Sequence, residues 1–255
     1  MTARHVYDQN FYDHMERGAR LSARNTVAFL KRHLPIDSVL DVGAGRGAWL
    51  AEWLASGTAE AVGVDGAYVE RDRLLIPQSA FIPYDLQTPL NLNRSFDLVE
   101  SLEVAEHINR RAADVFVNSL VAHGRAVLFS AATPGQGGEH HVNEQPLDYW
   151  REKFARHGFD AYDPLRPHLR DNLDVEPWYR YNMLLYVHRS LRDSLPAAIL
   201  ETAVPAGERV RDFRPLGYRS RAFVRSCLPV AVNTRWAVFK DRVRPYLRRT
   251  KRLGA

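Results

Sequence analysis

Short apolar runs alternate with amphipathic stretches along the middle of this chain. The apolar runs cover residues 39–42, 61–65, 80–84, 95–99, 125–130 and 178–188, and runs of this kind are typical of buried strands. Residues 48–54, 112–123 and 148–158 instead carry apolar side chains at helical spacing. The alternation predicts an α/β fold, with a doubly wound, mostly parallel sheet of about seven strands and helices on both faces.

Residues 1–34 and 191–255 flank this pattern, so the predicted organisation is an N-terminal helical cap, a domain at 35–190 and a basic C-terminal extension. In the cap, one apolar stripe recurs every three or four residues, which predicts one or two helices over 10–32 that pack on the domain. The stripe contains Phe11, Met15, Ala19, Ala23, Val27 and Leu30. The alternative is that the cap also covers a bound ligand through Tyr7, Tyr12 or Arg20.

The formal charge of +5 is unevenly distributed. Residues 189–255 hold 16 Lys and Arg against 5 Asp and Glu, whereas residues 1–188 hold 19 against 25. Positive charge on a terminal extension, rather than around a site, disfavours a nucleic-acid partner.

Cys227 is the single cysteine, so no internal disulfide can form and a reducing cytoplasm is the predicted location. The chain has neither a membrane-spanning apolar run nor the apolar core of a signal peptide.

A glycine-rich turn joins the first predicted strand to a helix. Its sequence is Asp41-Val42-Gly43-Ala44-Gly45-Arg46-Gly47. Glycines permit a tight turn and a close ligand approach, and the helix start presents free backbone N–H groups. The spacing differs from the G-x-G-x-x-G of dinucleotide-binding folds because the acidic residue already lies in the strand.

This turn resembles motif I of the class I methyltransferases, Rossmann-like enzymes that use S-adenosylmethionine. Over residues 9–188 the chain resembles a bacterial group of these enzymes associated with surface-saccharide and secondary-metabolite pathways. The resemblance implies that Asp41 reaches the amino end of the cofactor, that Asp65 accepts both ribose hydroxyls and that Asp85 lies near the adenine. The cofactor contacts so implied are Asp41, Gly43, Ala44, Gly45, Asp65, Gly66, Asp85, Leu86 and Glu103.

A second polar cluster follows the fourth predicted strand. Glu103, Glu106 and His107 are spaced i, i+3, i+4, which predicts a helical turn with all three on one face. The glycine-rich loop at 133–146 brings His140 and His141 from the next strand to the same rim. Because the imidazole pKa suits proton transfer near neutrality, His107 or His141 is the predicted base, with Glu106 beside them.

A metal site is the alternative interpretation of the same residues. Glu103, Glu106, His107 and His141 resemble the metal-binding set of the small-RNA 2′-O-methyltransferases, and a similar cluster occurs in ubiquinone-pathway O-methyltransferases. Mg²⁺, Mn²⁺ or Zn²⁺ could bind there and lower the pKa of an acceptor hydroxyl. The aromatic and basic residues around the second histidine pair of the RNA enzymes are absent. A structural role for both histidines is a third interpretation.

The predicted function is methyl transfer from S-adenosylmethionine to a hydroxyl of a small molecule, a sugar, glycoside or secondary metabolite. The alternatives are an RNA 2′-O-type methyltransferase and a binding module without turnover.

Residues 235–252 mix apolar and basic side chains at roughly helical spacing, interrupted by Pro245. That segment is predicted either to contact an anionic membrane or to pack on the body of the protein.

Overall fold

One seven-stranded sheet organises the protein. The computed structural model describes residues 9–226 and Val232, with side chains from residue 16 onward; Tyr7, the side chain of Tyr12 and the segment 235–252 lie outside the described residues. The strands are β1 (Ser38–Val42), β2 (Glu60–Asp65), β3 (Phe81–Pro83), β4 (Leu98–Leu102), β5 (Ala126–Ser130), β6 (Phe159–Tyr162) and β7 (Leu184–His188). Their order is β3-β2-β1-β4-β5-β7-β6; β7 pairs antiparallel with both β5 and β6, whereas the other neighbouring pairs are parallel. The predicted doubly wound, mostly parallel sheet is confirmed.

Helices cover both faces of this sheet. They are α1 (Gln9–His33), α2 (Ala48–Ala55), α3 (Ala113–Val121), α4 (Leu147–Arg156), α5 (Leu165–Leu169), α6 (Pro177–Asn182), α7 (Ala197–Leu200) and α8 (Leu216–Ser226). One apolar cluster joins α1, α2, α5 and α6 to one face, and a second joins α3 and α4 to the other. The carboxyl ends of β1, β2, β4 and β5 lie along one edge, where open α/β sheets bind their ligands.

The N-terminal cap is a single helix that is bound by neighbouring elements on two sides. Arg20 and Arg24 both bind Glu52 of α2, at 2.8 and 3.1 Å, and the Glu52 side chain is only 4% exposed. On the other side, the backbone N–H of Glu176 donates to Ser22 Oγ at 2.9 Å. Asn172 Nδ2 donates to Asn25 Oδ1, also at 2.9 Å. Helix α1 therefore connects α2 to the segment that precedes α6.

Two predicted strands differ from the structure. The prediction of one strand over 178–188 is wrong, because α6 occupies Pro177–Asn182 and β7 begins at Leu184. Proline at the first helical position favours this helix start. The strand predicted at 95–99 lies at Leu98–Leu102. Asp97 does not extend it, since its carboxylate accepts hydrogen bonds from the backbone N–H groups of Asp37 and Ser38.

The segment after β7 packs back onto the sheet edge and the loop at 133–146. Val204 N–H donates to the carbonyl of Ala161, extending the edge beside β6. Farther along, Arg166 is buried and donates to the carbonyl of Arg211 at 3.0 Å. Within the part of the chain that the structure describes, no helix combines the length and hydropathy needed to cross a membrane.

Candidate active site

The glycine turn after β1 lies against the neighbouring strands. Gly43 and Ala44 donate their N–H groups to the carbonyl of Val64, at 2.7 and 3.2 Å. Gly43 and Gly45 have φ values of +98° and +53°, which glycine adopts without strain. A Cβ on Gly43 would lie 2.2 Å from a methyl group of Val104, whereas a Cβ on Gly45 would meet no atom within 4 Å. Gly45 is thus the position where the loop backbone is open to a ligand.

The Asp65 carboxylate, at the end of β2, binds the same loop. Gly45 N–H donates to Oδ2 at 2.7 Å and Gly66 N–H donates to Oδ1 at 2.6 Å. Tyr68 Oη also donates to Oδ1, and the Tyr68 ring lies directly over Gly66. Asp65 is only 4% exposed, so its orientation is set by these donors.

A cavity of about 470 Å³ opens between the glycine turn, α1 and α6. Its walls include Asp41, Gly45, Trp49, Tyr68, Trp178 and Tyr179. Helix α1 contributes Glu16 and Ala19, but Arg20 is directed to Glu52 instead. The cavity is of the size at which proteins bind small molecules.

Five of the predicted cofactor contacts do not line this cavity: Asp65, Gly66, Asp85, Leu86 and Glu103. Asp85 is exposed and accepts a hydrogen bond from Gln87 N–H at 3.0 Å, the geometry of an Asx turn. Leu86 is buried and packs in the cluster formed with α3 and α4. Their contact with a cofactor stays a prediction.

Asp41 and Glu100 occupy paired positions on β1 and β4. Burial raises the pKa of Asp41 well above its ordinary value, and the neighbouring Glu100 and Asp65 carboxylates raise it further. Burial also raises the pKa of Glu100 to about 8, although a hydrogen bond from Trp53 Nε1 at 2.9 Å favours its charged form. Glu100 is absent from the predicted site, yet an acid inside a buried strand beside Asp41 is a signal that could have identified it.

Glu103 begins the turn after β4, and the prediction of a helical turn there is wrong. Its φ is +58°, outside the right-handed helical region, so Glu103 does not form a helical turn with Glu106 and His107. Gln136 Nε2 and Asn182 Nδ2 donate to the Glu103 carboxylate at 2.6 and 3.2 Å. Burial raises the pKa of Glu103, while these two amides and Ser130 oppose that increase. Neither Gln136 nor Asn182 belongs to the predicted site, because both approach from distant parts of the chain.

Glu106, His107 and His141 meet at the other side of this turn. The two imidazole rings lie 4.9 Å apart, edge to face, and His141 Nε2 lies 4.0 Å from Glu106 Oε1. One potential metal-binding atom from each of these three residues lies within 4.8 Å of the other two, and Glu103 does not belong to this group. Glu106 Oε2 is buried without a hydrogen-bond partner among the described residues. The structure therefore brings together three of the four residues proposed for a metal site.

His141 is oriented by a carboxylate that the sequence did not single out. Its Nδ1 lies 2.8 Å from Glu144 Oε1, and the same carboxylate accepts hydrogen bonds from the N–H groups of Gly135 and Gly137. Burial, and to a smaller extent the adjacent His141, lowers the pKa of His107 to about 4. A carboxylate three residues after a loop histidine is the signal that could have identified Glu144.

The histidine cluster and the glycine turn share one short segment. Val104 contacts Gly43, and His107 N–H donates to the carbonyl of Val104 at 2.9 Å. The loop at 133–146 is held to the same segment, since Val142 and Asn143 both donate to the carbonyl of Glu106. A ligand over the glycine turn and a proton acceptor on the loop would thus be neighbours along one rim.

Comparison with known proteins gives a family and a fold. A family model described as a methyltransferase domain matches residues 12–159. No curated protein matches the chain. Many solved structures are similar to it, several of them over most of its length. The methyltransferase domain of bacterial CtHen1 is 18% identical, with a TM-score of 0.51 over 67% of this chain and 98% of that one.

Two further similar structures have named acceptors. Magnesium protoporphyrin IX methyltransferase (ChlM) from Synechocystis PCC 6803, with bound S-adenosylmethionine, is 19% identical, with a TM-score of 0.51 over 72% of this chain and 86% of that one. CalS10 from Micromonospora echinaspora, an amino pentose methyltransferase of calicheamicin biosynthesis, is 18% identical, with a TM-score of 0.51 over 72% and 99%. At these sequence identities, the similarity to the three structures shows a shared fold and does not identify an acceptor.

Proposed function

Since this chain belongs to the family of methyltransferase domains and takes S-adenosylmethionine as its cofactor, we propose that it methylates a hydroxyl group of a small molecule, a sugar, glycoside or secondary metabolite. The observation that carries the proposal is the hydrogen bond between Glu144 and His141, on the rim that the glycine turn shares. A hydroxyl is a poor nucleophile until its proton is removed, and a carboxylate-oriented imidazole is suited to that task.

The residues around the cavity fit this cofactor. Gly45 lines the cavity and has no Cβ, so a ligand can approach its backbone closely. Asp41 also lines the cavity, and its carboxyl group can face the cationic amino group of the cofactor. Asp65 holds its carboxylate at the loop, where it would accept ribose hydroxyls. When bound, S-adenosylmethionine supplies a methyl group that its sulfonium activates toward nucleophiles.

We assign the base to His141 rather than to His107. Glu144 receives the Nδ1 proton of His141 in a hydrogen bond, so that Nε2 is left to accept the proton of the acceptor hydroxyl. His107, with its pKa lowered to about 4, is neutral near pH 7 and is a weak base. The Glu103, Gln136 and Asn182 network adds donors and acceptors that suit a hydroxylated ring.

The test measures S-adenosylhomocysteine formed from a panel of sugars and glycosides with free hydroxyls, beside amino-sugar analogues. His141→Ala should lower kcat by roughly 10²–10⁴ with the cofactor Kd unchanged, because it removes the base and not the binding site. His140→Ala is the matched control, since that neighbouring side chain is 80% exposed. Full activity of His141→Ala, or turnover of the amino sugars alone, would contradict the proposal.

A metal-assisted reaction is the second candidate for the same step. It is favoured by the compact Glu106, His107 and His141 cluster and by the unpartnered Glu106 Oε2. A divalent ion there would bind the acceptor oxygen and lower the pKa of its hydroxyl. Activity that survives EDTA supports the His141 base, whereas activity lost with EDTA and restored by one divalent metal supports the metal.

A further inference from the structure

Helix α8 has an inner face that packs on the loop of the candidate active site. The Ala222 carbonyl lies so close to Gly135 that a Cβ on that glycine would be 1.7 Å from its oxygen. Arg225 Nη1 donates to the carbonyl of Gln136 at 2.9 Å, and Tyr218 contacts the ring of Tyr181. These contacts fix which side of α8 faces outward.

The outer face of α8 is apolar and exposed. Leu216, Phe223 and Val224 are 78%, 71% and 62% exposed. At about 100° per residue along a helix, the three side chains fall within an arc of about 100° opposite the inner face. The remaining large exposed apolar side chains of the described residues 16–226 are isolated in sequence (Tyr68, Val142 and Leu173). Single exposed apolar residues are common on protein surfaces, but a cluster marks an interaction site.

Arginines border this apolar arc on both sides. By the same rotation, Arg219 lies about 40° from one edge of the arc and Arg221 about 60° from the other edge. Both are exposed. Residues 209–226 contain six arginines and a single acidic residue, Asp212. An apolar centre between cationic flanks is the pattern of helices that lie in the surface of an anionic bilayer.

We propose that α8 docks on an anionic lipid surface, with Leu216, Phe223 and Val224 entering the interface and Arg219 and Arg221 contacting lipid phosphates. The charge of the flanks selects this occupant, because a neutral protein groove would leave Arg221, which pairs with no acidic side chain among the described residues, without a counter-charge. Arg219 pairs with Asp212 at 3.4 Å but is still 52% exposed, so it can also reach a phosphate. The surface differs from the segment 235–252, which lies outside the described residues. The proposal concerns where the protein binds, so it does not depend on the acceptor.

Docking in this orientation has a consequence for the site. The inner face of α8 contacts Gly135 and Gln136, and Gln136 in turn donates to Glu103. The loop that carries His141 would therefore lie next to the lipid headgroups.

The test is co-sedimentation of the full chain with vesicles of phosphatidylcholine alone or mixed equally with phosphatidylglycerol. We expect binding to the anionic vesicles that weakens with salt. Phe223→Ser combined with Val224→Ser should reduce the apparent affinity at least tenfold. Leu173→Ser, at a side chain 86% exposed elsewhere on the surface, should bind like the parent protein. Arg219→Ala combined with Arg221→Ala should reduce affinity for the anionic vesicles by about five- to thirtyfold.

Cofactor titration and thermal melting show that each variant is folded. The proposal is overturned if the Phe223 and Val224 variant binds anionic vesicles like the parent protein, or if neutral vesicles bind equally well. It is also overturned if the chain is a dimer that this variant converts to monomers without any vesicle binding, because a second copy then covers the face. Salt-sensitive RNA binding without vesicle binding would likewise overturn it.

Discussion

At the scale of single residues, the cofactor side of the site is already organised by its own hydrogen bonds. The Asp65 carboxylate receives the N–H groups of Gly45 and Gly66 and the hydroxyl of Tyr68. The two backbone donors hold the carboxylate in place, whereas Tyr68 is 79% exposed and can rotate away. The tyrosine hydroxyl would therefore compete for the oxygen to which we propose a ribose hydroxyl binds.

This competition gives a prediction for Tyr68→Phe. We expect the variant to bind S-adenosylmethionine about three- to tenfold more tightly, since a hydrogen bond to a charged group no longer has to be exchanged. Titration calorimetry measures the Kd. The matched control is Asp65→Asn, which should weaken binding because it removes the charge that strengthens the ribose hydrogen bonds. Weaker binding by Tyr68→Phe would mean that the hydroxyl contacts the cofactor instead of competing with it.

The sequence was sufficient to locate some of these residues and insufficient for others, for a physical reason. Asp41, Gly45 and Asp65 lie at strand ends, and parallel strands end at one edge whatever the details of their packing. Glu103 follows a strand as well, but its left-handed backbone excludes it from the helical turn that the residue spacing predicted. Gln136 and Asn182 reach Glu103 across 33 and 79 residues, a distance that no local pattern encodes.

At the scale of elements, the glycine turn contains one glycine that is held by packing and one that we propose faces the ligand. Gly43 packs against Val104 with no room for a side chain, while Gly45 faces open space. Both have positive φ, so alanine at either position has a backbone cost of roughly 1–2 kcal/mol. Only at Gly43 does steric overlap add to that cost.

Alanine substitutions at the two glycines should therefore distinguish an effect on the free energy of unfolding from an effect on cofactor affinity. Gly43→Ala is expected to lower the free energy of unfolding by about 2–5 kcal/mol, because Val104 must move. Gly45→Ala should lower it by roughly 1–2 kcal/mol and weaken cofactor binding at least tenfold, because its methyl group enters the ligand cradle. Urea denaturation and calorimetry measure the two effects. Unchanged cofactor affinity in Gly45→Ala would show that the ligand does not contact this turn.

The pairing of β1 with β4 leads to a prediction about pH. The pKa of Glu100 is about 8 in the folded protein, whereas an unfolded glutamate titrates near about 4.3. Between these values the folded state binds more protons, so the free energy of unfolding falls as pH rises, by up to about 1.4 kcal/mol per pH unit.

Glu100→Gln should remove this part of the pH dependence, because the amide stays neutral and can still accept from Trp53 Nε1. Urea denaturation of the parent and the variant at several pH values between 5 and about 8.5 measures the difference in slope. Parallel curves for the two proteins would contradict a buried, protonated Glu100.

At the scale of the whole molecule, the sequence pattern was sufficient to predict the sheet but not the segments that pack around it. Buried parallel strands are continuous apolar runs that few other structures produce, and so the doubly wound core was predictable. Around α6, aromatic and apolar residues are dense enough to fit either a strand or a buried helix. The packing of 203–226 was beyond prediction because it depends on single contacts with remote residues, such as Arg166 with Arg211.

The attachment of α1 to the segment before α6 has a consequence for the synthesis of the protein. The bond between Ser22 and Glu176 spans 154 residues, and a ribosome that adds about 5–20 residues per second needs roughly 8–30 s to make that length. Throughout this time the nascent chain lacks Trp178 and Tyr179, which form one wall of the cavity. The cofactor can therefore stabilise the finished protein but cannot guide its early folding during translation.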